Sequence, residues 1–357
     1  MKHASLLLAV LFSALLCSCG PDEPVNPSYS GLNIEKGVFV LNEGTYLYAN
    51  SSLTYYDPEA DTVANNLFYR VNGAPIGDVG QSLCLMDGQL YIVVNNSNYI
   101  YKVDARTLAC DTTQRYKLDG FYSPRYMIPL SPDKVYVSDL SGKDLWIVNP
   151  QQMTITGTIA IGKPTETMVL VGKEVYVANW SNYYDTEVMN NTVMVVDAVN
   201  DMKVCEITVG KEPNGMVVDS QGQVWVLCEG AYWDVDMEYP TLWRIDPQSK
   251  KAFCERVFST TAMGLAIDPQ GEHLYCIEDG DVCRMAVNAP ATTDAFRIPA
   301  EGRTFYKITV NPNNGELYVT DAKNYAVSGT VYRYTSDGLL LSSFNAGICP
   351  SYILFKN

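Results

Sequence analysis

Tyr318-Val-Thr-Asp321, YVTD, is an aromatic residue, a β-branched one, a variable one and a short polar one, with turn residues on either side. Alone it reads as one strand. The same unit returns as FVLN at Phe39, YVSD at Tyr136, YVAN at Tyr176 and YCIE at Tyr275, and with one added residue as YIVVN at Tyr91 and WVLCE at Trp225. Steps between the seven starts are 52, 45, 40, 49, 50 and 43 residues, the length of one four-stranded blade each and not of a solenoid turn.

A second unit follows each tetrad: LTYYDP, IYKVDA, LWIVNP, VMVVDA and LWRIDP, then the degenerate VCRMAV and VYRYTS. Its Asp-Pro or Asn-Pro ending is turn chemistry that closes a strand. A third unit precedes the tetrad, clearest as SPRYMIPL, KPTETMVL and EPNGMVVD, and is missing before Phe39. It reappears at residues 349–355 as CPSYILF. The expected fold is therefore all-β, a seven-bladed β-propeller in which the C-terminal strand closes the first blade and removes the open edges of the sheet. The repeats resemble the YVTN-type (YncE-like) seven-bladed propellers, a resemblance that covers residues 37–355 and speaks for fold far more than for function.

Residues 1–18 stand apart from this pattern. Lys2 and His3 precede an apolar run from Ala4 to Leu16, which reads as a signal peptide too short to span a bilayer. The ending Leu16-Cys-Ser-Cys19 resembles the bacterial lipobox, making Cys19 the expected lipidated first residue of the mature chain. Residues 19–34 then form a Pro-rich tether, followed by a single domain at 35–357. The acidic pair Asp22 and Glu23 is similar to the signal that sends lipoproteins of Bacteroidota to the outer face of the outer membrane. The expected location is that surface, with lipid as the only membrane contact.

The full chain of 357 residues has a formal charge of −15, which argues against nucleic acid as a partner. Its two histidines are His3 and His273, so after removal of the leader neither a His triad nor a His-rich zinc site can be assembled. Cys276 and Cys283 are placed to face each other across Asp279-Gly280, and the sequence leaves open whether they bridge.

Naming the strands of each blade A to D from the axis outward puts the B–C loops and the D–A connections on one face. Those loops are unequal to the turns on the other face, which are short and polar, such as MDGQ, SPDK and SQGQ. Four of the seven B–C loops are long and all four carry aromatic residues. We expect a ligand site on this top face, with flat apolar area from Tyr46, Tyr48, Tyr99, Trp180, Tyr183, Tyr184, Trp233, Tyr239 and Tyr325. Hydrogen-bonding groups would come from Asn95, Asn98, Asn179, Asn182 and Asp185. Aligned inner strands place Gln81, Arg125, Glu166, Asn214, Met263, Tyr306 and Ser351 near the axis, with Arg125 counted among the ligand-binding residues.

One carboxylate in that ring is too few oxygen ligands for a hard-metal hydrolase site, and no phosphate-binding loop or nucleophile elbow occurs, so a binding protein is expected, with no catalytic residue, metal or cofactor. A lipid-anchored YVTN propeller with an acidic tether and an aromatic face resembles the corrinoid-capture lipoproteins of Bacteroidota (the BtuG type). That resemblance implies cobalamin as the transported ligand and a TonB-dependent outer-membrane transporter as the partner. A glycan-binding propeller and a protein-docking scaffold are the alternatives.

Overall fold

The computed structural model describes residues 33–110, 117–181, 189–231, 238–292 and 295–357. The expected leader, Cys19 and nearly all of the expected tether lie outside them. Seven four-stranded antiparallel sheets are formed, six of them running from an inner strand to an outer one in chain order. Blade 4 is typical, with Met168–Val171 innermost, then Glu174–Asn179, Thr192–Asp197 and Met202–Thr208. In blade 1 the inner place is taken by the C-terminal strand Pro350–Lys356, paired antiparallel with Gly37–Asn42 in the register Val38↔Phe355 and Val40↔Ile353. The expected closure is thus present, and it joins the two ends of the domain.

The tetrads occupy the B strands. A B strand is covered on both faces by the neighbouring blades, so an unbroken apolar run suits it where a half-exposed strand would alternate. Every residue of Gly37–Asn42 is buried, while the D strand Met202–Thr208 is mostly exposed. Core packing therefore lies between blades: Tyr136 and Leu145 of blade 3, for example, meet Val175, Val177 and Met194 of blade 4.

The tetrad's first residue also explains its preference for tyrosine. Tyr91 Oη donates to the carbonyl of Pro150 at 3.1 Å, Tyr136 Oη to Asp201, and Tyr176 Oη accepts from Lys250 Nζ at 2.9 Å. In each case the partner sits in the C–D turn of the next blade, so a buried ring carries a hydroxyl that ties adjacent blades together. Those turns are built by the Asp or Asn that ends the second unit. Asp57 accepts from the amides of Glu59 and Ala60, Asp104 from those of Arg106 and Thr107, and Asn149 from those of Gln151 and Gln152. These are Asx turns, in which the side chain substitutes for a backbone acceptor.

Cys276 and Cys283 are cross-strand partners with free, buried thiols. Burial pushes the Cys283 thiol up to about 11, and Cys276 higher still, so neither is a ready thiolate.

Candidate functional site

The tetrad's polar last residue works for the scaffold. Asp139 accepts from the amides of Tyr122 and Ser123, both at 2.9 Å, and Asn42 Oδ1 accepts from the Gly347 amide at 3.0 Å. Asn179 is fully buried, its Nδ2 donating to the Pro164 carbonyl and its Oδ1 accepting from Thr192 Oγ1, both at 3.0 Å. Asn95 Nδ2 donates to Ser123 Oγ at 2.7 Å and to the Pro124 carbonyl at 3.1 Å. These side chains pin the connections that lead into inner strands. Asn95 and Asn179, expected to face a ligand, are committed to those bonds.

Just past the B strand, a position that in the lengthened unit WVLCE is its closing Glu229, three blades behave differently. Asn42 pairs with Pro350 and Cys228 with Pro213, so Glu43 and Glu229 occupy equivalent places just past their B strands, and Trp180 likewise follows Asn179. All three reach inner-strand residues. Glu43 accepts from Tyr306 Oη at 3.2 and 3.3 Å and lies 3.4 Å from Cys349 Sγ. Glu229 Oε1 accepts from Asn214 Nδ2 at 3.0 Å. The Trp180 ring centroid stands 5.7 Å from Arg125 Cζ, within cation–π range. Trp180 is buried, so the exposed platform expected of it is instead a wall packed on the arginine.

Arg125 is the centre of the arrangement. Its Nε and Nη2 form a two-pronged bond to Glu166 at 2.7 and 2.9 Å, and Nη1 donates to Gln81 Oε1 at 2.5 Å. Glu166 is fully buried and its partner nearly so. Burial works against the charge on Arg125, but the adjoining Glu166 carboxylate more than offsets it and raises the pKa. Gln81 Nε2 extends the network to Tyr126 Oη at 3.4 Å, and Tyr126 lies 6.4 Å from the Tyr352 ring.

Tyr126, at the end of this network, also lines an axial cavity of about 370 Å³, together with Asn214, Glu229, Lys307 and apolar residues such as Leu265 and Ile308. Burial pushes the Glu229 carboxyl up to about 7; Lys307 opposes this and the nearby Glu166 and Glu212 add to it. Burial likewise raises Tyr306, reinforced by Glu43. Of the three carboxylates near the axis only Glu229 lines the cavity, with Lys307 as the cation in the same lining, while Glu166 is buried against Arg125 and Glu43 is bonded to Tyr306. Among the described residues no group of three or more His, Cys, Asp or Glu could hold a metal ion. The chemistry on offer is hydrogen bonding to a ligand rich in both donors and acceptors.

The expected tyrosines lie on the loops of the top face. Tyr46, Tyr48, Tyr239 and Tyr325 are exposed, with Tyr48 the most open at 73%, and Tyr325 meets Tyr306 edge-on at 5.6 Å. Asn98 is exposed in a left-handed conformation, φ 58°. Tyr99 is half-buried, its Oη donating to the Ile76 carbonyl at 2.5 Å, its ring edge-on to Tyr101. Asn182, Tyr183, Tyr184, Asp185 and Trp233 lie outside the described residues. Sequence reasoning missed Tyr122, which is 65% exposed on a D–A connection of the same face and 6.3 Å from Trp146. It also missed Glu229 as an axial group. Attending to D–A connections, and to the closing Glu229 of the lengthened unit WVLCE, would have found both.

Solved structures share this fold widely, with 1331 matching chains, so the architecture alone discriminates no function. A quinonprotein alcohol dehydrogenase-like protein of Bacteroides thetaiotaomicron aligns with a TM-score of 0.71 at 16% identity, over 92% of this chain and 80% of that one. The periplasmic gluconolactonase of Pseudomonas aeruginosa gives 0.63 at 12% identity, over 90% and 99%. A protein from Lactobacillus plantarum gives 0.62 at 15% identity, over 90% and 100%. No curated protein sequence matches the chain. Residues 36–352 match the family model described as Domain of unknown function (DUF5074).

Proposed function

We propose that this chain, which belongs to the DUF5074 family, is a binding propeller that takes a corrinoid, cobalamin, on its top face and passes it to a TonB-dependent outer-membrane transporter. The observation that carries the reading is the contrast between the faces. The top face gathers exposed Tyr46, Tyr48, Tyr122, Tyr239 and Tyr325, and the axial cavity offers donors from Lys307 and Asn214 and an acceptor in Glu229. A corrinoid has a broad, partly apolar macrocycle fringed with amides. It calls for flat aromatic area bordered by groups that both give and accept hydrogen bonds. The loop containing Asn182, Tyr183, Tyr184 and Asp185, and that containing Trp233, would add to the same wall.

Lipidation at Cys19 after removal of residues 1–18, with display at the outer-membrane surface, belongs to the same proposal. The propeller would then present its ligand beside the transporter, held by lipid alone. Solved propellers of this fold include a gluconolactonase, but at 12% identity the likeness concerns fold only. We read the axial groups as binding groups. The experiment is calorimetry of the purified, mature chain with cyanocobalamin, preceded by passage of the mixture through a desalting column. Red colour travelling with the protein is expected; its absence, with no heat of binding at micromolar protein, removes the corrinoid reading.

A further inference from the structure

The axial cavity is lined by a cation and a carboxyl that form no ion pair with each other, Lys307 and Glu229. Glu229 follows the end of the B strand Val224–Cys228 in blade 5, and Lys307 is third in the inner strand Phe305–Val310 of blade 7, so both stand at the top-face end of the cavity, and both are half-buried. Among the described residues Lys307 Nζ makes no hydrogen bond or ion pair, and it lies 5.3 Å from the centre of the Tyr306 ring. Glu229 is held from one side only. Its Oε1 accepts from Asn214 Nδ2 at 3.0 Å, and its Oε2 has no bond among the described residues. Asn214 is fixed in turn, its carbonyl accepting from Thr167 Oγ1. One oxygen of a positioned carboxyl is therefore left as an unused acceptor, in the same lining as an unused donor.

Charge decides what this end of the cavity accepts. A bare anion would meet Lys307 but also the Glu229 carboxylate, with Glu166 and Glu212 adding to the repulsion. A bare cation would meet Glu229 but also Lys307. A neutral group that accepts on one side and donates on the other answers both, and a buried polar group left unanswered is costly. The carboxamide is such a group, with its C=O accepting from Lys307 Nζ and its N–H donating to Glu229 Oε2. Further in, the inner strands continue as Val217, Ile267 and Val310, which give the cavity an apolar part for the carbon atoms that carry the amide.

We propose that the axial cavity is a carboxamide-reading subsite, with Lys307 on the carbonyl, Glu229 on the N–H and Asn214 positioning Glu229. Two sources carry that chemistry. One is a propionamide arm of the corrinoid macrocycle, which rests on the reading proposed above. The other is the acetamido group of an N-acetylated amino sugar, which is independent of it.

The test is calorimetry at pH 8, above the Glu229 value of about 7, so that the carboxylate is ionised. Cyanocobalamin is compared with its b-, d- and e-monocarboxylic acids, each of which carries a carboxylate in place of one propionamide, and triacetylchitotriose with cellotriose, which has a hydroxyl in place of each acetamido group. In one of the two comparisons the wild type is expected to bind the amide about tenfold or more tightly than its counterpart, for the corrinoids than one of the three acids. Glu229→Gln turns the acceptor into a donor, since the amide oxygen stays on Asn214, so it should erase that preference, and with the corrinoid acid reverse it. Lys307→Met should weaken binding of the amide itself. Melting curves establish that both variants are folded. A preference lost with the corrinoids assigns the cavity to the propionamide; one lost with the sugars assigns it to the acetamido group. Equal binding, or none, in both comparisons, or a preference unchanged in folded Glu229→Gln, overturns the subsite. If cyanocobalamin and its acids bind equally, the propionamide source fails while the corrinoid reading stands. If no corrinoid binds, the corrinoid reading fails and the sugars alone decide the cavity.

Discussion

Arg125→Met tests whether the axial network is structural support for the axial cavity. The substitution removes a guanidinium that makes three hydrogen bonds and leaves the Glu166 carboxylate, which has no exposed surface, without its counter-charge. Breaking a buried pair from one side costs about 3–5 kcal/mol. For a domain of residues 33–357, an unfolding entropy of about 2 cal/mol/K per residue gives about 0.7 kcal/mol/K, so the melting temperature should fall by about 6 °C. Differential scanning calorimetry at pH 8 reads this directly. The companion Arg125→Met/Glu166→Leu removes both charges and should recover most of the loss, because two apolar side chains of similar size carry no desolvation penalty. A single variant melting within 1 °C of wild type, or a double variant no better than the single, would refute the account of Arg125 and Glu166 as a mutually dependent pair.

Glu229 sets a pH dependence. Its folded-state pKa of about 7 stands above the ordinary 4.5, so the native state holds a proton that the unfolded chain has released between those values. Stability from this group is therefore full below about pH 4.5 and is lost as pH rises through 7, by roughly 3 kcal/mol at most. Glu229→Gln should flatten that part of the stability-against-pH curve and raise the melting point at pH 8; an unchanged slope between pH 5 and 8 contradicts it. Among the interblade tyrosines, Tyr136→Phe should destabilise by about 1–2 kcal/mol, since it deserts Asp201, whereas Tyr318→Phe should be neutral or stabilising. The Tyr318 hydroxyl is buried with no hydrogen-bond partner among the described residues, and urea midpoints of the two variants give the comparison. Truncation after Ala346 removes the inner strand of blade 1 and uncovers Val38 and Val40, so a wild-type cooperative melt in that variant would contradict the closure. Cys19→Ala should yield a form that no longer partitions into detergent once the leader is gone, as read by phase separation and intact-mass analysis.

The sequence by itself determined the number of blades, their strand order and the permuted closure, because each of these is written in local chemistry repeated seven times. A buried B strand needs an unbroken apolar run, the C–D turn takes Asp or Asn at its first position in five of the seven blades, and an inner strand missing at one end must be found at the other. Composition likewise argued against nucleic acid before any fold was considered. What it could not determine is which polar residues of a repeat serve the scaffold and which face the axis. Asn95 and Asn179 look like ligand donors in a loop-rich stretch, yet their bonds go to Ser123, Pro124, Pro164 and Thr192, partners 13 to 29 residues away that only the folded ring brings near. Glu43, Trp180 and Glu229 belong to three different repeats and share no local motif. They converge because closing the ring turns one position per blade toward a common axis.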